Sequence, residues 1–547
     1  MIARRYEWAL FALLFYGVTS WALLAHGVSL TTHILGVGSD PYLIIWCLRY
    51  VPWAISHDQL TPVTHLMWQP YGLNLAWVTA MPLLGLLMTP VTLAFGAVLS
   101  FNLLSLAAPA LAAWAAYFLC LELSELPLAA LLGGFIFAYS SYEAAQSLDH
   151  LNLAFTALLP LIVLVALKRM RGGIGRGKMV LWLGLLLGGQ FLISEEVLAT
   201  ACLFGLTALL LAFVFEPRHR RALSILMLDI VFAAPVALLL ASPILWAMIT
   251  AVYDVNHPPF WTNVFSVDAL NFVIPSESSR FGGQYFLQFS RAFSGGLDEQ
   301  TGYVGLSALL LLLAIVADAR IRRKLWLPLV ILGLAMLVAL GPILHVAGRP
   351  TDIALPWALI ARVPLLGAAL PARCMVYAFL MLSIIASQWL TAEKAARERT
   401  FVVVCVCLSL LPVPHPAQPV PYSSFFRPGR VQQVLGPHPT LLILPFSIYG
   451  PSSFWQAENK FGFSQVGGYL GFPPNWAQND PAVAQLWLKK LTPSFGQDLT
   501  RFVQRNGAQY VVAGPGTPAD QVAALAQLGW SAQKVDDVTI YTVPKVP

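Results

Sequence analysis

Charge is scarce in this chain. Only 11% of its 547 residues are Asp, Glu, Lys or Arg, against roughly 25% in soluble globular proteins, while 58% are hydrophobic. That excludes a soluble domain and leaves a polytopic membrane protein. Cysteine is scarce too: Cys47, Cys120, Cys202, Cys374, Cys405 and Cys407 all lie in or beside apolar segments, without CxxC spacing or a His/Cys cluster. A disulfide framework and a zinc site are thereby disfavoured. No nucleotide-binding loop is present. The run Arg171-Gly172-Gly173-Ile174-Gly175-Arg176-Gly177-Lys178 has the composition of one, but Lys178 is followed by Met179 and no strand precedes it, so it reads as a flexible basic turn. Internal repeats and inverted hydropathy symmetry are also missing, which weighs against a secondary transporter.

The basic residues that are present follow a pattern. Near-continuous apolar segments, Leu181 to Leu192, Val197 to Phe215, Ala222 to Leu245, Leu306 to Ala317, Trp326 to Leu344 and Met375 to Leu390, alternate with compact basic clusters. These are Lys168/Arg169/Arg171/Arg176/Lys178, Arg218/Arg220/Arg221, Arg320/Arg322/Arg323/Lys324 and Lys394/Arg397/Arg399; with Arg4 and Arg5 they hold 17 of the 32 basic residues. Short basic loops stay cytoplasmic, which places the amino terminus inside. The net charge of +6 is thus parcelled out by topology, and nucleic acid is not an expected partner. About eleven spans follow, near 8–27, 97–120, 126–141, 150–168, 179–194, 197–215, 223–248, 303–318, 325–345, 371–391 and 400–412. The stretch 77–96 is short and carries Pro82 and Pro90. If it spanned, every later basic cluster would fall outside, so it reads as a re-entrant or juxtamembrane helix pair.

A transmembrane module over 1–412 therefore carries outward loops at 28–76, 251–301 and 346–370. A proline-rich linker opens the remainder, 413–547, which reads as a small extracytoplasmic α/β domain: Leu441 to Pro445, Tyr510 to Ala513 and Val538 to Val543 have strand patterns and Ala519 to Leu528 a helical one.

Asp40 is the first candidate for chemistry. It stands in Gly38-Ser39-Asp40-Pro41-Tyr42, about ten residues beyond the first span, ahead of an aromatic, amphipathic stretch (Tyr42 to Ile55) suited to the membrane surface. An Asp before Pro is also a common helix cap, and the two roles are compatible. Asp149 and His150 fall in the outward loop between the third and fourth spans, and Glu195 and Glu196 form the next outward hairpin tip. Ionisable residues near a membrane core often mark a site; hairpin tips are also polar simply because they meet water.

This architecture resembles the GT-C superfamily of integral membrane glycosyltransferases, and so do Gly38 to Tyr42, Tyr139-Ser140-Ser141-Tyr142 with Asp149-His150-Leu151-Asn152, Leu192-Ile193-Ser194-Glu195-Glu196 and Leu370-Pro371-Ala372-Arg373. The WWD-type tripeptide of oligosaccharyltransferases is absent, which argues against protein N-glycosylation. The resemblance implies an inverting enzyme of a bacterial inner membrane. Its donor would be a polyprenyl-phosphate-linked sugar and its acceptor a glycan, lipid or protein, with Asp40 as general base at the outer face. It implies that Asp149, His150, Glu195, Glu196 and His257 line the site, with Asp149, Glu195 and Glu196 able to hold Mg²⁺ or Mn²⁺. Without a metal, Arg373, Arg362 and Arg291 are the expected partners of the donor phosphate; for Arg373 the alternative is snorkelling to lipid headgroups. His257, with Trp261 and Asp268, lies in a loop able to close over an acceptor sugar, although interfacial Trp and Tyr need no ligand. The rival reading is a non-catalytic transporter, flippase or scaffold for lipid-linked saccharides.

Overall fold

The computed structural model describes residues 2–250, 261–363, 366–391 and 396–545. They form two compact units: Met1–Ser29, Asn102–Ala241 and Pro258–Ala417 make one, and Leu30–Phe101, Ser242–His257 and Gln418–Pro547 the other.

The first unit is helical. Among the described residues, six helices are long and apolar enough to cross a membrane: Tyr6–Ala25, Ala97–Ser124, Leu151–Met170, Glu195–Phe215, Pro217–Thr250 and Pro371–Trp389. The other five expected spans fold as shorter helices, Pro127–Ala138, Arg176–Phe191, Leu306–Ala317, Trp326–Ala339 and Ala396–Leu410, of 12 to 16 residues. At a rise of 1.5 Å they reach about 18–24 Å, short of a hydrocarbon core of about 30 Å. Among the described residues, length and composition thus qualify six helices as spans. Hydropathy counted residues that the backbone spends on turns: Pro127–Ala138 stops at Tyr139, and Ser140 already caps the next helix.

Helix Met375–Trp389 is the centre of this unit, with 13 of its 15 residues buried. Pro127–Ala138 and Trp326–Ala339 pack on it. Within Pro127–Ala138, Gly134 permits close approach to Tyr6–Ala25 and Ala97–Ser124, since a Cβ there would overlap the Tyr16 hydroxyl and the Ala113 carbonyl. By contrast, Glu195–Phe215 leaves Leu206, Leu210, Val214 and Phe215 exposed, as lipid-facing residues are. Helix Arg220–Thr250 carries a fully buried acid, Asp229, which accepts Nε–H bonds of 2.6 Å from both Arg169 and Arg176. Two guanidiniums offset the cost of a buried carboxylate. The expected basic turn accordingly shortens to 171–175, and Arg176 already begins a helix.

In the second unit the first loop and the tail share one core. Helix Asp40–Ser56 packs on Ser452–Glu458. Its Trp46 is fully buried, donates Nε1–H to Gln456 Oε1 at 2.8 Å, and meets Phe461 edge-on. The aromatics expected at the membrane surface thus fill a protein core. Helix Pro82–Phe95 packs on Asp40–Ser56 as a single 14-residue element. The tail builds a five-stranded mixed sheet in the order Ala532–Val535, Val538–Thr542, Tyr510–Ala513, Thr440–Leu444, Ser464–Gln465. Thr440–Leu444 runs parallel to both of its neighbours and Val538–Thr542 antiparallel to both of its own. Strand Thr440–Leu444 is buried from Leu441 onward, as a continuous apolar strand requires. The amphipathic helix Phe495–Arg505 buries Phe495, Leu499, Phe502 and Val503 at helical spacing.

Candidate functional site

Each unit holds one chemical constellation. In the second, Ser39 occupies the cap position and Asp40 is the first helical residue, followed by Pro41 at a position where its missing N–H costs nothing. A carboxylate in the first turn meets the positive end of the helix dipole. The Tyr469 hydroxyl, from the Gly467-Gly468-Tyr469 loop, donates a short hydrogen bond to Asp40 Oδ1. Gln418 ties down the backbone just before it by donating to the Gly38 carbonyl at 3.1 Å.

In the first unit, a chain of polar contacts links four elements. Arg373, in the 3₁₀ turn that leads into helix Met375–Trp389, donates Nη1–H to Glu196 Oε2 at 2.6 Å and Nε–H to Glu299 Oε1 at 2.9 Å. Glu196 sits in the first turn of Glu195–Phe215, whose cap Ser194 accepts from the Val197 N–H, and its other oxygen accepts the Leu370 N–H at 2.9 Å. Glu299 is almost wholly buried and also accepts from Gln146. Gln146, on helix Ser141–Gln146, pairs in turn with His150 Nδ1 at 3.1 Å, and His150 lies 3.3 Å from Asp149.

Asp149, His150 and Asp298 bring one ligand atom each within 4.8 Å of one another, all half-buried. A carboxylate–imidazole–carboxylate set fits a divalent cation. Burial pushes the Asp298 carboxyl upward and Glu299 adds to this, while His150 and Arg373 oppose it. The geometry therefore groups Asp149 with His150 and Asp298, whereas Glu196 is committed to Arg373.

The remaining expected residues lie elsewhere. Glu195 is half-buried beside Glu196. Arg291 pairs with Glu277 at 2.6 Å and is largely exposed. Arg362 is exposed. His257 falls outside the described residues. Asp268 spends its carboxylate on the backbone amides of Leu270, Ala347 and Gly348. Sequence reasoning did not single out Tyr469, Gln146, Asp298 and Glu299. The pair Asp298-Glu299, a polar couplet just ahead of an apolar helix as Glu195-Glu196 is, was the available signal.

No protein-family model matches the chain, and no curated protein matches it in sequence. Solved structures do. The Archaeoglobus fulgidus oligosaccharyltransferase in its apo form aligns over 95% of this chain and 71% of its own, at 12% identity and a TM-score of 0.50. The oligosaccharyltransferase AglB of the same organism, solved with an inhibitory peptide and a dolichol-phosphate, aligns over 99% of this chain and 75% of its own, at 11% identity and 0.50. The mycobacterial arabinofuranosyltransferase AftD aligns over 99% of this chain and 40% of its own, at 12% identity and 0.57. Both kinds of enzyme are GT-C glycosyltransferases. This chain has the GT-C fold. Within that fold, six candidate spans and their apolar surfaces make it a multi-pass membrane protein.

Proposed function

We propose that this GT-C chain is an inverting glycosyltransferase that moves a sugar from a polyprenyl-phosphate donor to an acceptor hydroxyl at the outer face of a bacterial plasma membrane. The observation that carries the reading is the GT-C fold across 99% of the chain, shared with an arabinofuranosyltransferase at a TM-score of 0.57. A dolichol-phosphate complex of the AglB neighbour supports a lipid-borne donor.

Asp40 is the general base. A hydroxyl is a weak nucleophile, and a positioned carboxylate typically adds about 10²- to 10⁴-fold. Attack from the face opposite the lipid phosphate inverts the anomeric carbon. Tyr469 orients the carboxylate by donating to Oδ1, and the carboxylate receives the acceptor proton. Arg373 uses three of its N–H donors on Glu196 and Glu299, and a guanidinium has five. The remaining two are available to a donor phosphate, with Arg362 and Arg291 as outlying charges. Asp149, His150 and Asp298 would hold a divalent cation able to neutralise developing phosphate charge, and the imidazole favours Mn²⁺ over Mg²⁺.

The test is turnover of the purified full-length protein on a panel of polyprenyl-phosphate sugars. At least one donor should be consumed by the wild type, and Asp40→Asn should lose about 10²- to 10⁴-fold with its melting temperature little changed. Full activity of Asp40→Asn removes the base assignment, and inertness of the wild type toward every donor removes the donor class.

A further inference from the structure

Helices Leu158–Met170, Glu195–Phe215, Trp326–Ala339 and Met375–Trp389 enclose a cavity of about 300 Å³. Its wall is almost wholly apolar, formed by side chains such as Leu159, Val163, Phe204, Ile331 and Leu380. Two polar residues mark its ends. Tyr377 commits its hydroxyl to the Val197 carbonyl and Thr200; Gln388 stands at the other end.

Apolar cavities of about half this volume stay dry and take up hydrocarbon instead. From Tyr377 to Gln388 the helix rises about 16 Å, roughly half of a 30 Å hydrocarbon core. The cavity therefore has the length of one leaflet, the depth of a phospholipid acyl chain; a polyprenol tail is longer than a leaflet is deep. It can fill from the side, because Gly205 lines it, is exposed, and a Cβ there would meet no atom within 4 Å.

Two of the lining residues lie close to lysines in sequence. Cavity-lining Leu167 immediately precedes Lys168, and Leu327 follows Lys324 by three residues. Arg169 and Arg171 are committed to Asp229 and Glu122, whereas no ion pair among the described residues involves Lys168 or Lys324. We propose that the cavity is a binding site for one acyl chain of an anionic phospholipid, with its headgroup phosphate held between Lys168 and Lys324.

Native mass spectrometry of the purified full-length protein tests this, with phosphatidylglycerol, phosphatidylcholine or undecaprenyl phosphate added to the micelles. The wild type should retain a single phosphatidylglycerol in preference to phosphatidylcholine by roughly tenfold, as two lysines near a phosphate allow. Lys168→Gln with Lys324→Gln should bring the two lipids to parity. Gly205→Phe, which fills the cavity from its open side, should lose the lipid without lowering the melting temperature; Ala201→Leu is the smaller filler should the first fold poorly. Wild-type retention by either folded filler, equal binding of the two phospholipids by the wild type, or displacement of phosphatidylglycerol by equimolar undecaprenyl phosphate would each overturn the assignment.

Discussion

Asp40 and Tyr469 stand 429 residues apart in sequence, and one hydrogen bond joins them. A hydrogen bond to a charged carboxylate contributes about 1.5–3 kcal/mol, and this one holds the carboxylate in a single orientation. Tyr469→Phe should therefore lower kcat/KM by about 10- to 100-fold with the melting temperature little changed. An unaltered kcat/KM would show that Tyr469 does not position the base. His415 allows a second residue-scale prediction. Its buried ring donates Nε2–H to the Ala144 carbonyl at 2.9 Å, and burial pulls its pKa from 6.5 down to about 4. The folded protein keeps this ring neutral. Between about pH 6.5 and 4 the unfolded chain takes up a proton that the folded chain does not. This contribution, on the order of 3 kcal/mol, is complete above pH 6.5 and is lost as pH falls toward 4. Melting temperatures across that window should fall less steeply for His415→Gln, which keeps the donor and lacks the titration.

Helix lengths separate what hydropathy reads from what the backbone does. Apolar runs located the long apolar helices of the first unit, but their ends were set by caps and turns: Ser140 and Ser194 accept backbone N–H groups at helix starts, and Tyr139 closes Pro127–Ala138. Asp229 escaped notice because one acid barely changes the mean of an apolar window, although two arginines converge on it. The tail was more legible. Strand patterns near 441–445, 510–513 and 538–543 coincide with Thr440–Leu444, Tyr510–Ala513 and Val538–Thr542, and the helical pattern at 519–528 with Ala519–Gln527. The order of those strands had no local signature. Close helix packing supplies the prediction at this scale: Gly134→Leu should lower stability by about 1–3 kcal/mol or more through overpacking against Tyr16 and Ala113. Thermal unfolding should show it, and Gly205→Leu, with open space around its Cβ, should not.

At the scale of the whole molecule, sidedness is the expectation with the widest reach. The basic clusters place Arg322 inside and the first loop, with Asp58, outside. In a chain with its six cysteines replaced, Asp58→Cys should react with an impermeant maleimide on intact cells, and Arg322→Cys only after permeabilisation. Both side chains are exposed, so the reverse pattern would invert the orientation and with it the lipid-borne donor. The division into two units also belongs to this scale. Asp40's unit gathers residues from the first loop, a central stretch and the tail, a grouping that only long-range packing such as Trp46 on Gln456 and Phe461 creates.

Composition and charge spacing by themselves determined a membrane protein with alternating basic loops, an acid at the head of the first-loop helix and an α/β tail, because hydration cost and helix or strand period act over a few neighbouring residues. Tertiary structure alone decided which of the scarce charges meet. The Arg373 pairs with Glu196 and Glu299, the Asp149–His150–Asp298 triad and the Tyr469 bond to Asp40 all join residues from separate elements. A buried charge takes whichever partner the packing brings near, and no local pattern records that partner.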